Sequence, residues 1–155
     1  MDKNISGFRR GVCGVFVSAE GKVLLGERLK DRGQWQLPQG GVEGGETLLQ
    51  ALCREMMEEV GVAVGVGALK VLRQTSGFIS YVWPPGFSPH ARFLGQEHVY
   101  FLIDAGKLEA SGLGASEEFF RFDWFSVDEV LCEVVAWKKD AYMVAFRELG
   151  LLKEV

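Results

Sequence analysis

"QLPQGGVEGGETLLQALCREMMEEVGV", residues 36 to 62, opens on glycines and then sets Glu55, Glu58 and Glu59 within one predicted helix. A helical residue advances by about 100 degrees, so positions i, i+3 and i+4 lie side by side. The three carboxylates therefore share a surface. Leu49, Leu52, Met56 and Val60 point to a different side, which predicts an amphipathic helix whose buried stripe is separate from its acidic stripe. Like charges at these spacings repel by roughly 0.2 to 0.5 kcal/mol per pair. The cluster also holds Arg54 and is framed by Gly40, Glu46 and Gly61. A divalent cation is the natural group to offset the repulsion.

Around this stretch the chain has 155 residues, a length that suits one domain over residues 1–155 and buries roughly two-thirds of the unfolded surface. With 48% apolar and 25% charged residues and no long apolar run, the composition excludes a helical membrane protein and a disordered one. The start, "MDKNISGFRRG", lacks the apolar core of a signal peptide, so an intracellular, cytoplasmic location is the expectation. Cys13, Cys53 and Cys132 are odd in number and set among apolar neighbours, the pattern of reduced core thiols and not of a disulfide framework or zinc site. His90 and His98 lack ligand spacing, and His98 in "QEHVYFLI" reads as a residue on a strand face. Net charge is -4 and the pI is about 5.3. An extended basic groove for nucleic acid is therefore not expected, and any nucleic acid would be held by its end.

"RGVCGVFVSAEGKVLLGERL" predicts two strands joined at "AEG". "GQWQLPQGG" gives a short extended segment and a glycine-rich loop. Thr47 or Glu46 can start the helix, and Gly61 can end it as the residue beyond its C-cap. "ALKVLRQTSG", "FISYVW", "EHVYFLID" and "FFRFDWFS" predict further strands, with the loop "PPGFSPHARFLGQ" among them. Ser126 or Asp128 begins a short helix. A last helix in "WKKDAYMVAFRELGLL" has apolar spacing at Tyr142, Val144, Ala145, Phe146 and Leu149. The result is an α/β protein with a sheet packed between helices.

The opening stretch resembles the Nudix box, G-x5-E-x7-R-E-U-x-E-E-x-G-U with U aliphatic, at every position: Gly40, Glu46, Arg54, Glu55, Met56, Glu58, Glu59, Gly61 and Val62. The pattern suits pyrophosphate chemistry, because a polyphosphate repels an anionic nucleophile until a cation neutralises it. Magnesium prefers oxygen ligands and keeps several waters, so a few carboxylates on one rigid helix can hold it and leave positions for phosphate. Gly40 and Gly41 would let the backbone approach closely, with amides available to anions, whereas Gly44 and Gly45 taken alone read as an ordinary turn. Arg54 is placed to pair with Glu46 and orient Glu55.

Beyond the box, "FRRG", "WQLPQGG", "YVWPPG", "GQEHVYFLI", "EEFFRFDWFS" and "AWKKDAY" resemble the asymmetrical diadenosine tetraphosphate hydrolases and the similar bacterial RNA 5' pyrophosphohydrolases. The likeness runs from about Phe8 to about Phe146. Departures are Arg10 and Gly11 where proline and asparagine are usual, Leu37 in the W-Q-[FM]-P-Q-G-G segment, and "GQEHVYFL" in place of G-Q-x-Q-K-W-F. They bear on substrate choice and not on the chemistry.

The resemblance implies a Nudix fold, a mixed β-sheet sandwiched between α-helices. It implies magnesium, with manganese able to substitute, on Glu55, Glu58 and Glu59, joined by Glu118 from a distant loop. Glu117, next to Glu118, would point elsewhere in an extended segment. Glu58 and Glu118 are the candidate bases, and Arg54 is a third candidate catalytic residue. Tyr81 and Trp137 would sandwich a base, while Lys138, Arg28, Arg9, Gly40 and Gly41 would meet phosphates. A monomer acting on a nucleoside polyphosphate is expected, with no membrane partner. The activity expected first is the asymmetrical cleavage of diadenosine tetraphosphate to ATP and AMP. The alternative is removal of phosphate or pyrophosphate from triphosphorylated RNA 5' ends. A nucleotide-binding module that does not hydrolyse would have lost box glutamates, and a sanitiser of single nucleoside triphosphates fits the segments outside the box less well.

Overall fold

The spine of the sheet is β1 (Phe8–Ser18), a computed structural model of the protein shows, describing residues 7–87, 92–114 and 116–153. Every residue from position 11 to position 16 of this strand is buried, because both faces are covered. Val12 and Phe16 face one side and Cys13 and Val15 the other, as the two-residue period of a strand requires.

Along one edge β1 pairs antiparallel first with β4 (Gln39–Gly41) and then, at Val17 and Val23, with β2 (Val23–Arg28). β2 also pairs with β3 (Trp35–Gln36) and with β8 (Phe119–Phe125). Along the other edge β1 runs parallel to β7 (Gly95–Gly106), in register from Phe8 opposite Gly95 to Val17 opposite Asp104. β5 (Lys70–Gln74) and β6 (Ile79–Val82) pair antiparallel with the two halves of β7. The sheet is mixed, as the sequence predicts.

Helix α1 (Leu48–Glu59) covers one face through Leu52 and Met56, which pack in a cluster with Val12, Phe16, Leu24 and Ile103. The other face is covered by α2 (Val127–Glu133) and α3 (Ala136–Glu148), where Val130, Tyr142, Ala145 and Phe146 pack with Cys13, Val15 and Leu25. Each fully buried Leu or Phe here contributes roughly 1.5 to 3 kcal/mol. Among the described residues no helix is long and apolar enough to cross a membrane.

The predicted boundaries of α1 hold. Thr47 caps it in a reciprocal capping box with Gln50, and Gly61, at φ 81°, follows the C-cap Val60. Its predicted faces need correction. The buried arc runs over Ala51, Leu52, Glu55 and Met56, whereas Leu49 is 49% exposed. Leu49 stands at the border of that arc, where among the described residues it stays half exposed. Glu55 lies inside the arc, so the acidic and buried stripes overlap. Val144 of α3 is likewise exposed.

Ser126 caps α2 in a second capping box with Glu129. Cys13 is a buried thiol, but Cys53 is only partly covered and Cys132 is exposed, so the expectation of three core thiols holds for Cys13 alone. His98 is buried in β7, and burial holds its imidazole down at about 3, so it is neutral. His90 lies outside the described residues.

Candidate active site

The glycine loop and α1 meet at β4. A β-carbon on Gly40 would fall on the Glu55 carboxylate, and one on Gly41 would strike the Arg9 guanidinium. These two glycines are gaps that a charged side chain fills. Gly44 and Gly45 have open space around them, and Gly45, at φ 84°, serves a turn.

Arg54 organises the carboxylates. Its Nε and Nη2 donate to the two oxygens of Glu46 at 2.7 and 2.9 Å, a fork matched to a carboxylate. Nη2 also donates to the Gly41 carbonyl at 2.8 Å, which ties the helix to the loop. Nη1 donates to Glu55 at 2.6 Å and to Glu58 at 3.3 Å. The Arg54 hydrogen bonds, helped by the backbone N–H of Glu43, hold Glu46 down at about 2. Glu55 is pushed up by its burial, and Arg54 opposes that push.

Glu55, Glu58 and Glu59 each offer an oxygen, all within 4.8 Å of one another. Glu59 is raised to about 7, first by burial and then by the charges of Glu118, Glu55 and Glu58. Its Oε2 is buried without a hydrogen-bond partner. Glu118 faces Glu59 from the segment before β8, and Arg28 Nε lies 3.8 Å from it. Glu117 is exposed and does not line the cleft.

Glu55, Glu59 and Glu118 form one wall of a cleft of about 370 Å³, and Glu58 stands beside that wall without lining it. Arg9, Arg28 and Lys138 supply positive charge to it, and Trp83, Phe87 and Trp137 form an aromatic end. Lys138 is buried and donates from Nζ to Gln36 Oε1 at 2.7 Å. Burial, followed by the charge of Arg28, lowers Lys138 to about 8. Trp137 packs against Tyr81 and Phe87, with ring centroids 5.3 and 5.4 Å away.

The sequence profile of the NUDIX domain matches residues 7–146. The chain belongs to the Nudix family. Among curated proteins, the RNA pyrophosphohydrolase of Acinetobacter baylyi is 36% identical, over 94% of this chain and 90% of that protein. Among solved structures, the E. coli dihydroneopterin triphosphate pyrophosphohydrolase superposes with a TM-score of 0.67 at 20% identity, over 88% of this chain and 95% of that one. A C. elegans Ap4A hydrolase binary complex superposes with a TM-score of 0.64 at 17% identity, over 86% and 93%. At such identities the superpositions speak for the fold alone.

The protein is thus a Nudix hydrolase, of a family that generally works with a divalent metal such as magnesium. The residues present fit such an ion. Three converging carboxylates are hard oxygen donors, and the orphaned Glu59 Oε2 is a lone pair without a protein partner.

One sequence expectation moves. Tyr81, read as half of a stacking pair, is buried, donates its hydroxyl to Gln96 Oε1 and does not line the cleft. It buttresses Trp137 from behind. Beside Trp137 the cleft is lined by Trp83 and Phe87, which the sequence reading missed. Their signal is the turn in "WPPGF": Gly86, at φ 83°, lets the Phe87 N–H reach the Pro84 carbonyl at 3.0 Å and so brings the ring back beside Trp137. Gln36, Gln39 and Gln96 were also missed. They line the cleft as a polar set, with Gln39 donating to Gln96 at 3.2 Å.

Proposed function

We propose that this chain hydrolyses the triphosphorylated 5' end of RNA, with the carboxylates of α1 holding magnesium, or manganese in its place. The observation that carries the reading is the 36% identity, over nearly the whole length, to a protein named RNA pyrophosphohydrolase. This reverses the order expected from sequence, where diadenosine tetraphosphate came first. The Ap4A hydrolase likeness is too distant to favour that substrate.

In this reading Glu55, Glu58 and Glu59 hold the cation, with Glu118 completing the set. Held there, the cation would supply the positive charge that neutralises phosphate oxygens and leaves the attacked phosphorus more electrophilic. Glu58 or Glu118 takes a proton from the attacking water as its oxygen bonds to phosphorus. The phosphoanhydride P–O bond breaks, and its electron pair leaves on the departing phosphate oxygen. Lys138, Arg28 and Arg9 balance the charge that gathers on the polyphosphate. Arg54 touches no reacting atom in this scheme; it holds Glu55 and Glu58 in place. The base of the first nucleotide stacks at the aromatic end, on Trp137 with Trp83 and Phe87. A single domain acting as a monomer suffices, and a substrate of this kind places the work in the cytoplasm.

The deciding test compares kcat/KM for diadenosine tetraphosphate, ATP and a short triphosphorylated RNA at equal magnesium. The RNA is expected to lead. A clear lead for diadenosine tetraphosphate would return the chain to the asymmetrical hydrolase reading.

A further inference from the structure

Beside the catalytic cleft lies a second groove of about 400 Å³, bounded by Arg9, Arg10, Arg92, Phe78 and Phe93. The two spaces are neighbours, since Arg9 and Val42 line both. One wall of the groove also joins the aromatic end of the cleft, because Phe93 packs into the cluster of Tyr81, Trp83 and Trp137. Although the chain carries a net charge of -4, this face is locally basic. Among the described residues no carboxylate pairs with Arg9 or Arg92. Arg10 donates to Glu97 at 2.9 Å and lies over the Phe78 ring at 5.2 Å. Arg92 lies over Phe93 at 5.0 Å. The acid in the groove, Glu46, has both oxygens occupied by Arg54.

We propose that this groove receives the nucleotides that follow the 5' end of an RNA substrate, its arginines meeting backbone phosphates and Phe78 offering a face to a base. The inference rests on the RNA reading above. Guanidiniums interleaved with aromatic rings are what a single strand requires: the charges track the phosphates and the rings stack any base. ATP has no residue to place in the groove. Diadenosine tetraphosphate would bring a nucleoside there, but one with no phosphate beyond it for Arg10 and Arg92 to meet. An RNA strand brings a phosphate with each nucleotide. The overall acidity that argues against a long nucleic-acid track is therefore broken at one place, next to the cleft. It is also where this chain carries Arg10 in place of the proline usual in the proteins it resembles.

The test measures kcat/KM for triphosphorylated RNAs of two and six nucleotides, diadenosine tetraphosphate and ATP, on the unaltered protein, Arg92→Ala and Phe78→Ala. Both side chains are exposed, and thermal melting verifies that the variants fold. The six-nucleotide RNA is expected to outperform the dinucleotide by about 10-fold. Phe78→Ala should remove about 5-fold or more of that advantage. Arg92→Ala should also make the salt dependence shallower, by a log-log slope of about 0.7 to 1. ATP turnover should stay unchanged in both variants. RNA turnover that is independent of length and indifferent to both substitutions overturns this inference and leaves the RNA reading standing. Hydrolysis of diadenosine tetraphosphate with no turnover of either RNA overturns both. A loss confined to diadenosine tetraphosphate assigns the groove to its second adenosine instead.

Discussion

Gly40 and Glu55 compete for one place: the position a β-carbon would take on Gly40 is occupied by the Glu55 carboxylate. Gly40→Ala should displace the end of a flexible side chain and not the backbone. The expected outcome is a melting temperature within a few degrees of the unaltered protein, with kcat lower by about 100-fold, the order that a 1 Å misplacement costs. Calorimetry and steady-state kinetics on the same preparation check both halves.

Arg54 makes a planar fork that lysine cannot reproduce. Arg54→Lys keeps the charge but loses the paired contact with Glu46 and the reach to Gly41 and Glu55 together. Activity or metal affinity should fall by about 10- to 100-fold, as for other partners that orient metal ligands. A magnesium titration of the rate separates a weaker metal site from a slower one.

Activity should require magnesium or manganese and be abolished by excess chelator, because the carboxylate wall alone repels the substrate. Glu58→Gln keeps the shape and removes a charge, and should cost at least about 100-fold in kcat. Glu118→Gln should cost a comparable factor if Glu118 is the base, and only a few-fold if it is an auxiliary ligand.

Trp137→Ala should weaken base-bearing substrates by about 5- to 150-fold in kcat/KM, the equivalent of ~1 to 3 kcal/mol of stacking. A base-free polyphosphate should be hydrolysed at nearly the original rate. Equal loss on both substrates with a lowered melting temperature would make Trp137 a packing residue.

Lys138 in the free protein loses its charge as pH rises past about 8. KM for the polyphosphate should therefore climb through that range, and Lys138→Met should show a high KM without this climb. The stability sign runs the opposite way. Folding lowers this group below its unfolded value and so favours the neutral amine. The penalty for burying the ammonium is fully present below about pH 8 and is relieved between there and the unfolded value of 10.5. Melting temperatures across pH 7 to 10 should reveal that contribution as the difference between the protein and Lys138→Met.

The grouping of Glu55, Glu58 and Glu59 was legible because helical spacing is local, and so were the ends of α1, where Thr47 and Gly61 carry their own signals. Which arc of that helix is buried was not legible, because it depends on what packs over it. Leu49 was assigned to the core and Glu55 to the surface, and the structure exchanges them. The aromatic end failed for a related reason. Tyr81, Trp83 and Phe87 are equally apolar in sequence, and only the packing of Tyr81 against Trp137 and the turn at Gly86 decide which rings reach the cleft. Cys132 was read from its apolar neighbours, but it falls on the uncovered side of α2.

The parallel alignment of β1 with β7 brings together residues such as Arg10 and Glu97, which are 87 positions apart. Contacts of such long range close slowly, because the intervening chain must be ordered before they form. During synthesis, β1, the glycine loop and α1 emerge well before β7, so the acidic helix waits for the strand that completes its packing surface. A chain halted before Gly95 should remain unfolded and open to proteases. One released after Phe146, with every strand and the buried face of α3 present, should fold.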